Sequence, residues 1–203
     1  GRLQWDVLRR DGAADAWANA RHYGPEARNA ALCHLRTVPY ATSLNGLRID
    51  EEGKNSLLSE QYMAGMEQRA RGTARAFRPY NPLAYTLGDE NGMNHEGTGP
   101  FADTPRVWAK FREYLRGVYP DMDALNSQWG TDFAAWDEIR FDSEGEMLPD
   151  MDNPSAWVDY RNFVTRELTA VHRRMRQAIR EEHPGAAVGW DGVEQSPYGG
   201  QDW

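Results

Sequence analysis

The chain has 203 residues, and its 40% hydrophobic and 27% charged residues are typical of a single globular domain rather than a disordered chain. A formal net charge of −8 without a basic stripe argues against a nucleic-acid partner, and no apolar run is long enough to span a membrane. Because Cys33 is the single cysteine, an internal disulfide and a cysteine-based zinc site are excluded, and we predict no metal or other cofactor.

The first part of the chain predicts a helix and then a strand. Residues 2–23 carry apolar side chains at roughly helical spacing and are followed by a Gly-Pro pair, so we predict a helix there. Residues 30–40 are typical of an extended segment, although Pro39 interrupts them, and we predict a strand. Residues 41–55 are rich in turn formers and predict a loop after that strand.

The middle of the chain predicts two amphipathic helices with a short apolar strand between them. Residues 57–77 carry an apolar face at helical spacing and are closed by prolines. Residues 83–88 form a short apolar run between turn residues, which is typical of a buried strand. Thr104-Pro105 is a favourable helix start, with a hydroxyl at the cap and proline in the first turn, and that helix stops at Pro120.

The remaining elements are an irregular segment, a long helix and a last strand. Residues 125–139 show little helical period, and we expect Trp129 and Trp136 to be exposed. Residues 154–182 carry a continuous apolar stripe and predict the longest helix, and residues 186–190 predict a strand. Since strands that alternate with helices indicate βαβ units, the fold class is α/β with a parallel sheet.

Two of the predicted strands end in carboxylates. Asp89 and Glu90 directly follow one apolar strand, and Asp191 follows another. In a parallel α/β barrel the chemistry takes place at the carboxyl ends of the strands, so Glu90 is a candidate catalytic residue. The alternative is that Asp89 and Glu90 are solvated loop charges. His95 has no partners at metal-binding spacing, and no metal site is predicted.

Several uncommon residues stand at set spacings around and after this strand. They are Gly88-Asp89-Glu90, then Leu125-Asn126-x-x-Trp129-Gly130-Thr131, then Asn153-Pro154-x-x-Trp157-x-Asp159-Tyr160-x-x-Phe163. This order resembles the catalytic barrel of glycoside hydrolase family 42, the β-galactosidase family. The resemblance runs from about residue 39 to residue 191. It implies that residues 1–203 are a single partial (β/α)8 TIM-barrel domain, truncated at both ends and covering about strands three to five.

The resemblance also implies a retaining glycosidase with two catalytic glutamates. Glu90 matches the acid/base at the end of the fourth strand, whereas the nucleophile of the seventh strand has no counterpart in this chain. The family has an asparagine before the acid/base that bonds the substrate 2-hydroxyl; Asp89 stands there and cannot donate when ionised. A retaining site needs both carboxyl groups, about 5 Å apart. The whole protein is therefore expected to hydrolyse O-glycosyl bonds of a carbohydrate substrate, and this chain alone to be inactive.

Aromatic and polar side chains around Glu90 are candidate sugar contacts. Indole rings supply stacking platforms, and carboxylates and amides supply hydroxyl partners. Core packing or capping is the alternative reading for the two tryptophans, for Asn91 and for Asp191. The predicted substrate contacts are Asp89, Asn91, Trp129, Trp190 and Asp191.

Other functions are compatible with the same residues. A carbohydrate-binding or structural barrel without catalysis is one alternative, and Asp89 motivates it. A weaker alternative pairs Glu90 with Asp191 or Glu194 as an inverting site, which requires roughly 6.5–9.5 Å between carboxyl groups. Because a partial barrel presents unpaired strand edges, we also expect marginal stability or association into a homo-oligomer.

Overall fold

The structure, a computed structural model, divides into two compact units that share two helices. It describes residues 18–20, 32, 36–42, 59–89, 91, 105–140 and 152–191, with the backbone alone at 18–20 and 191. The first unit contains residues 1–45, 63–91 and 172–193, and the second contains residues 46–62, 92–171 and 194–203. Each unit has its own core and is described by itself.

Parallel strands form the centre of the first unit. The described strands are β1 (Ala18–Ala20), β2 (Thr37–Pro39), β3 (Tyr85–Asp89) and β4 (Val188–Asp191). β1 pairs in parallel with β2, and β3 pairs in parallel with β4. A parallel bridge between Tyr40 and Thr86 connects the end of β2 to β3. The described strands therefore lie in chain order, all in one direction, as successive βα units require.

Helices make up most of the described residues. They are α1 (Glu60–Phe77), α2 (Pro105–Val118), α3 (Met122–Trp129) and α4 (Ser155–Glu182), with single 3-10 turns at Arg78–Tyr80 and Trp136–Glu138. α1 and α4 both contribute residues to each unit. The predicted helices over 57–77, 104–119 and 154–182 are confirmed in their described parts, as are the strands near 83–88 and 186–190.

In the first unit, ion pairs connect α1 to the last turns of α4. Arg71 bonds Glu67 at 3.1 Å and Glu181 at 2.8 Å, and Arg174 pairs with Glu67 on its other side. Arg75 bonds Glu182 at 2.8 Å. Since these groups are partly exposed, each pair contributes little by itself, and apolar burial along α1 provides most of the stabilisation.

A buried phenol lies at the first residue of β3. The hydroxyl of Tyr85 contacts Nδ1 of His183 at 2.9 Å and the carbonyl oxygen of Ala74 at 3.3 Å. The side chain is 1% exposed, and burial raises the pKa of Tyr85 to about 12. Because its polar end is hydrogen-bonded, this tyrosine can fill the core without leaving a buried hydroxyl unsatisfied.

Aromatic rings form the core of the second unit. Phe111 of α2 packs against Phe163 and Tyr160 of α4, with ring centroids 5.2 and 6.4 Å apart. All three rings are at most 2% exposed. This contact explains the apolar stripes that both helices carry in the sequence.

Four sequence predictions are wrong in the described residues. Residues 18–20 form β1 rather than the end of a helix, because pairing with β2 outweighs the weak local preference of Ala-Asn-Ala. Of the described residues in the strand predicted over 30–40, those at 37–39 form a strand, where the amide of Leu83 bonds the carbonyl of Thr37 at 2.8 Å, and residue 32 is helical. The described residues thus contain four strands, one more than the three predicted from the sequence.

The third wrong prediction concerns residues 122–129, which form α3. The side chain of Asp121 accepts a bond from the amide of Ala124 at 2.8 Å, and Gly130 ends the helix with a φ of 71°. The helix begins at Met122, whereas the predicted irregular segment begins at residue 125. The first turn of the helix therefore lies outside that segment, and the remaining residues show too little helical periodicity. The expected exposure of Trp129 is also wrong, because its side chain is only 6% exposed.

Candidate functional site

The carboxyl ends of β3 and β4 lie side by side. Thr86 is opposite Gly189, and Asp89 is opposite Asp191. β3 therefore advances three residues while β4 advances two, which is a bulge in β3. Gly88, inside this bulge, has a φ of 140°, a conformation that favours glycine. The glycine thus allows the strand to change direction immediately before its acidic end.

Short side chains fix this bulge. The hydroxyl of Thr86 accepts a bond from the amide of Gly88 at 3.2 Å and donates to its carbonyl at 2.9 Å. The hydroxyl of Thr42, which follows β2, donates to the carbonyl of Leu87 at 3.0 Å. These bonds satisfy backbone groups that the irregular ladder leaves unpaired. The backbone ahead of the acids is therefore held from within β3 and by the segment that follows β2.

The two predicted acidic strand ends are brought together. Asp89 has an exposed side chain, and the backbone of Asp191 is its register partner on the adjacent strand. Glu90, the candidate catalytic residue, lies outside the described residues, as do His95 and Glu194. The described geometry therefore gives the strand ends on which the candidate site rests, and Glu90 is the next residue after one of them.

Asn91 and Trp190 are linked through a histidine that the sequence reading did not select. The amide nitrogen of Asn91, which is 0% exposed, lies 3.2 Å from Nε2 of His172 on α4. The ring of His172 stacks on Trp190, with centroids 4.5 Å apart and planes inclined by 31°. Trp190 remains 40% exposed. The sequence signal that could have found His172 is its position four residues after Leu168, on the apolar face of α4.

Trp129 belongs to the second unit and is bonded within it. Its Nε1 donates to Oδ2 of Asp159 at 2.8 Å, and the hydroxyl of Tyr119 donates to the same oxygen at 2.5 Å. Asp159 is 7% exposed. Burial, followed by the bond to Asp159, raises the pKa of the Tyr119 phenol. The burial of Trp129 favours core packing, which was the alternative to a sugar contact.

The described residues offer neither a metal cluster nor a membrane-spanning helix. Among these residues, no group of three or more His, Cys, Asp and Glu side chains could hold a metal ion. None of the described helices is both long and apolar enough to cross a membrane.

Known proteins share this arrangement of strands and helices. The β-galactosidase from Bacillus circulans sp. alkalophilus superposes with a TM-score of 0.69 at 16% identity, covering 94% of this chain and 34% of that chain. The catalytic domain of β-amylase from Paenibacillus polymyxa gives a TM-score of 0.64 at 13% identity, covering 93% and 61%. At such identities the likeness concerns the fold alone. This chain folds as part of an α/β barrel.

Sequence comparison gives the family. The β-galactosidase of Thermus thermophilus is 35% identical over 89 residues, which are 41% of this chain and 13% of that protein. This chain thus matches only a small part of the length of that relative. A family model described as Beta-galactosidase matches residues 59–201, which is more than half of the chain. The chain therefore belongs to glycoside hydrolase family 42.

Proposed function

We propose that this chain carries the acid/base side of a retaining β-glycosidase site of the β-galactosidase type. The observation that carries the proposal is the pair of parallel strands that end together in Asp89 and Asp191, with Glu90 directly following. Carboxyl ends of parallel barrel strands are the positions at which barrel enzymes place catalytic groups. Membership of family 42 supports the same reading.

The strands can be assigned to the barrel on this basis. We infer that β2, β3 and β4 take the places of barrel strands three, four and five, as the family resemblance implies. β1 pairs with the free side of β2 and would then occupy the place of the second strand. Right-handed βα connections keep successive strands adjacent, which is the order observed here.

Within this proposal, each residue of the strand ends has a separate role. Glu90 protonates the leaving oxygen, and later takes a proton from the attacking water. Asp89 and Asp191 accept hydrogen bonds from sugar hydroxyls, and Trp190 offers a stacking face. Asn91 contributes by packing rather than by direct contact, since it is fully buried. The attacking carboxylate has no counterpart in these 203 residues, so the chain alone does not turn over substrate.

Saturation-transfer NMR with methyl β-galactoside tests the proposal. We expect weak binding by the wild-type chain, loss of the signal in Trp190→Ala, and retention in Glu113→Gln, an exposed glutamate on α2 that serves as the matched control. Aryl β-galactoside should not be hydrolysed. Turnover that Glu90→Gln abolishes would contradict the claim that one carboxylate is insufficient, and absence of any galactoside binding would refute the sugar site.

A carbohydrate-binding barrel without catalysis is the second candidate. The exposed Trp190 and the carboxylate of Asp89 at the position of the family asparagine favour it. A general acid must keep its proton near neutral pH, so an acid/base Glu90 requires a pKa above the ordinary value of about 4.3. Carbon-13 NMR titration of the Glu90 carboxyl separates the two functions, because a binding barrel has no need of such a shift.

A further inference from the structure

One side chain of α4 contacts the neighbours of both candidate acids. His172 bonds Asn91, the residue after Glu90, and stacks on Trp190, the residue before Asp191. His172 is itself only 9% exposed. A single imidazole therefore connects the ends of β3 and β4 to the helix that precedes β4.

The Asn91 contact is a hydrogen bond between an amide and a ring nitrogen. With the amide nitrogen of Asn91 as the donor, Nε2 of His172 is the acceptor at 3.2 Å. Since Asn91 is fully buried, loss of this acceptor would leave an amide donor without that partner in a site that water does not reach.

The contact with Trp190 supports a ring that is partly open to solvent. A centroid distance of 4.5 Å and an inclination of 31° correspond to a tilted stack of two aromatic planes. Trp190 is 40% exposed, so the histidine supports the indole without covering it. A stacking platform for a pyranose ring needs this combination of a fixed plane and an open face.

We propose that His172 is a positioning residue of the sugar site, holding the side chains of Asn91, the residue after Glu90, and Trp190, the residue before Asp191. The inference rests on the proposed function, because it assigns these strand ends to a sugar. Binding and catalytic groups have to be held within about 0.5 Å of their working geometry by the side chains behind them. His172 provides that support to two adjacent strands at once.

Three substitutions separate the two contacts of His172. His172→Ala removes both, His172→Gln keeps an acceptor for Asn91, and His172→Phe keeps a ring against Trp190. We expect the alanine variant to weaken methyl β-galactoside binding about tenfold, and the other two to restore part of it. The Glu90 carboxyl titration should shift in the alanine variant and move back in the glutamine variant.

A matched control is present in the same unit. His183 also contacts an aromatic side chain, Tyr85, at the opposite end of β3. His183→Ala should lower the thermal midpoint yet leave galactoside binding and the Glu90 titration unchanged. Equal binding by wild type and His172→Ala, or an equal loss in His183→Ala, would overturn the positioning role.

A failure of the sugar site itself gives a different result. In that case the wild-type chain does not bind the galactoside at all. The indole resonance of Trp190, assigned with Trp190→Phe, and the side-chain amide of Asn91 then report the contact directly. Unchanged resonances in His172→Ala would overturn the contact, whereas displaced resonances without sugar binding would refute the proposed function.

Discussion

Trp129 and Trp190 each meet a polar partner, but for opposite purposes. Trp129 is 6% exposed, and its ring nitrogen bonds the buried carboxylate of Asp159. Trp190 is 40% exposed and rests on the face of His172. Trp129 belongs to one of the motifs that carry the family resemblance, yet it packs in the core of the second unit. Membership of a motif therefore does not by itself separate a core residue from an exposed one, and the role of Trp190 as a sugar contact is our proposal.

The largest loss of stability is expected for substitution of the buried Trp129. Trp129→Ala should lower the free energy of unfolding by about 3–5 kcal/mol, because it opens a cavity and removes a donor to Asp159. Trp190→Ala should cost less, because its side chain is already 40% exposed and less apolar surface leaves the core. Urea denaturation measures both. Equal losses in the two variants would show that the distinction between a core and a site tryptophan is wrong.

A smaller effect is expected at the bulge that leads to the acids. Gly88→Ala places a side chain at a φ of 140° and should cost about 1–3 kcal/mol. Gly72, inside α1, has no atom within 4 Å of an added Cβ, so Gly72→Ala should stabilise by about 0.5–1 kcal/mol. We expect the thermal midpoint to fall in Gly88→Ala and to rise in Gly72→Ala. A neutral Gly88→Ala would contradict the bulge.

The buried phenol of Tyr85 should make the stability of the fold depend on pH in the alkaline range. Burial raises the pKa of Tyr85 to about 12 from an ordinary value of 10.0. The folded chain thus keeps a proton that the unfolded chain releases, so this contribution is complete below pH 10 and is lost as the pH rises towards 12. Tyr85→Phe should remove this part of the alkaline loss. Urea midpoints of the wild type and Tyr85→Phe, measured between pH 10 and pH 12, test this prediction. If the midpoints of both proteins fall equally with pH, the prediction is wrong.

The smallest effect is expected for the ion pairs of the first unit. The bond from Arg174, and then that from Arg71, holds the pKa of Glu67 below its ordinary value of 4.5. Its contribution is therefore present above pH 4.5 and is lost as the pH falls further. Glu67→Gln should cost less than about 1 kcal/mol, and less still at high salt. Glu113→Gln is the exposed control, and a larger loss there would contradict this assignment.

Several elements could be predicted because their signals are local. The helices α1, α2 and α4 carry apolar side chains at helical spacing and are bounded by proline or a capping residue, so nearby residues suffice to find them. β3 and β4 were found as apolar runs ending in acids. β1 could not be found in this way, since Ala18–Ala20 is a strand only by virtue of its pairing with β2.

The sequence by itself determined the family motifs, the alternation of strands and helices, and the acids at two strand ends, since all depend on order along the chain. Tertiary structure decided which side chains meet. It buried Trp129 on Asp159, opposed Asp89 to Asp191 across a bulge, and placed His172 between Asn91 and Trp190. His172 and Asn91 are 81 positions apart, and only the packing of α4 against the strand ends brings them into contact.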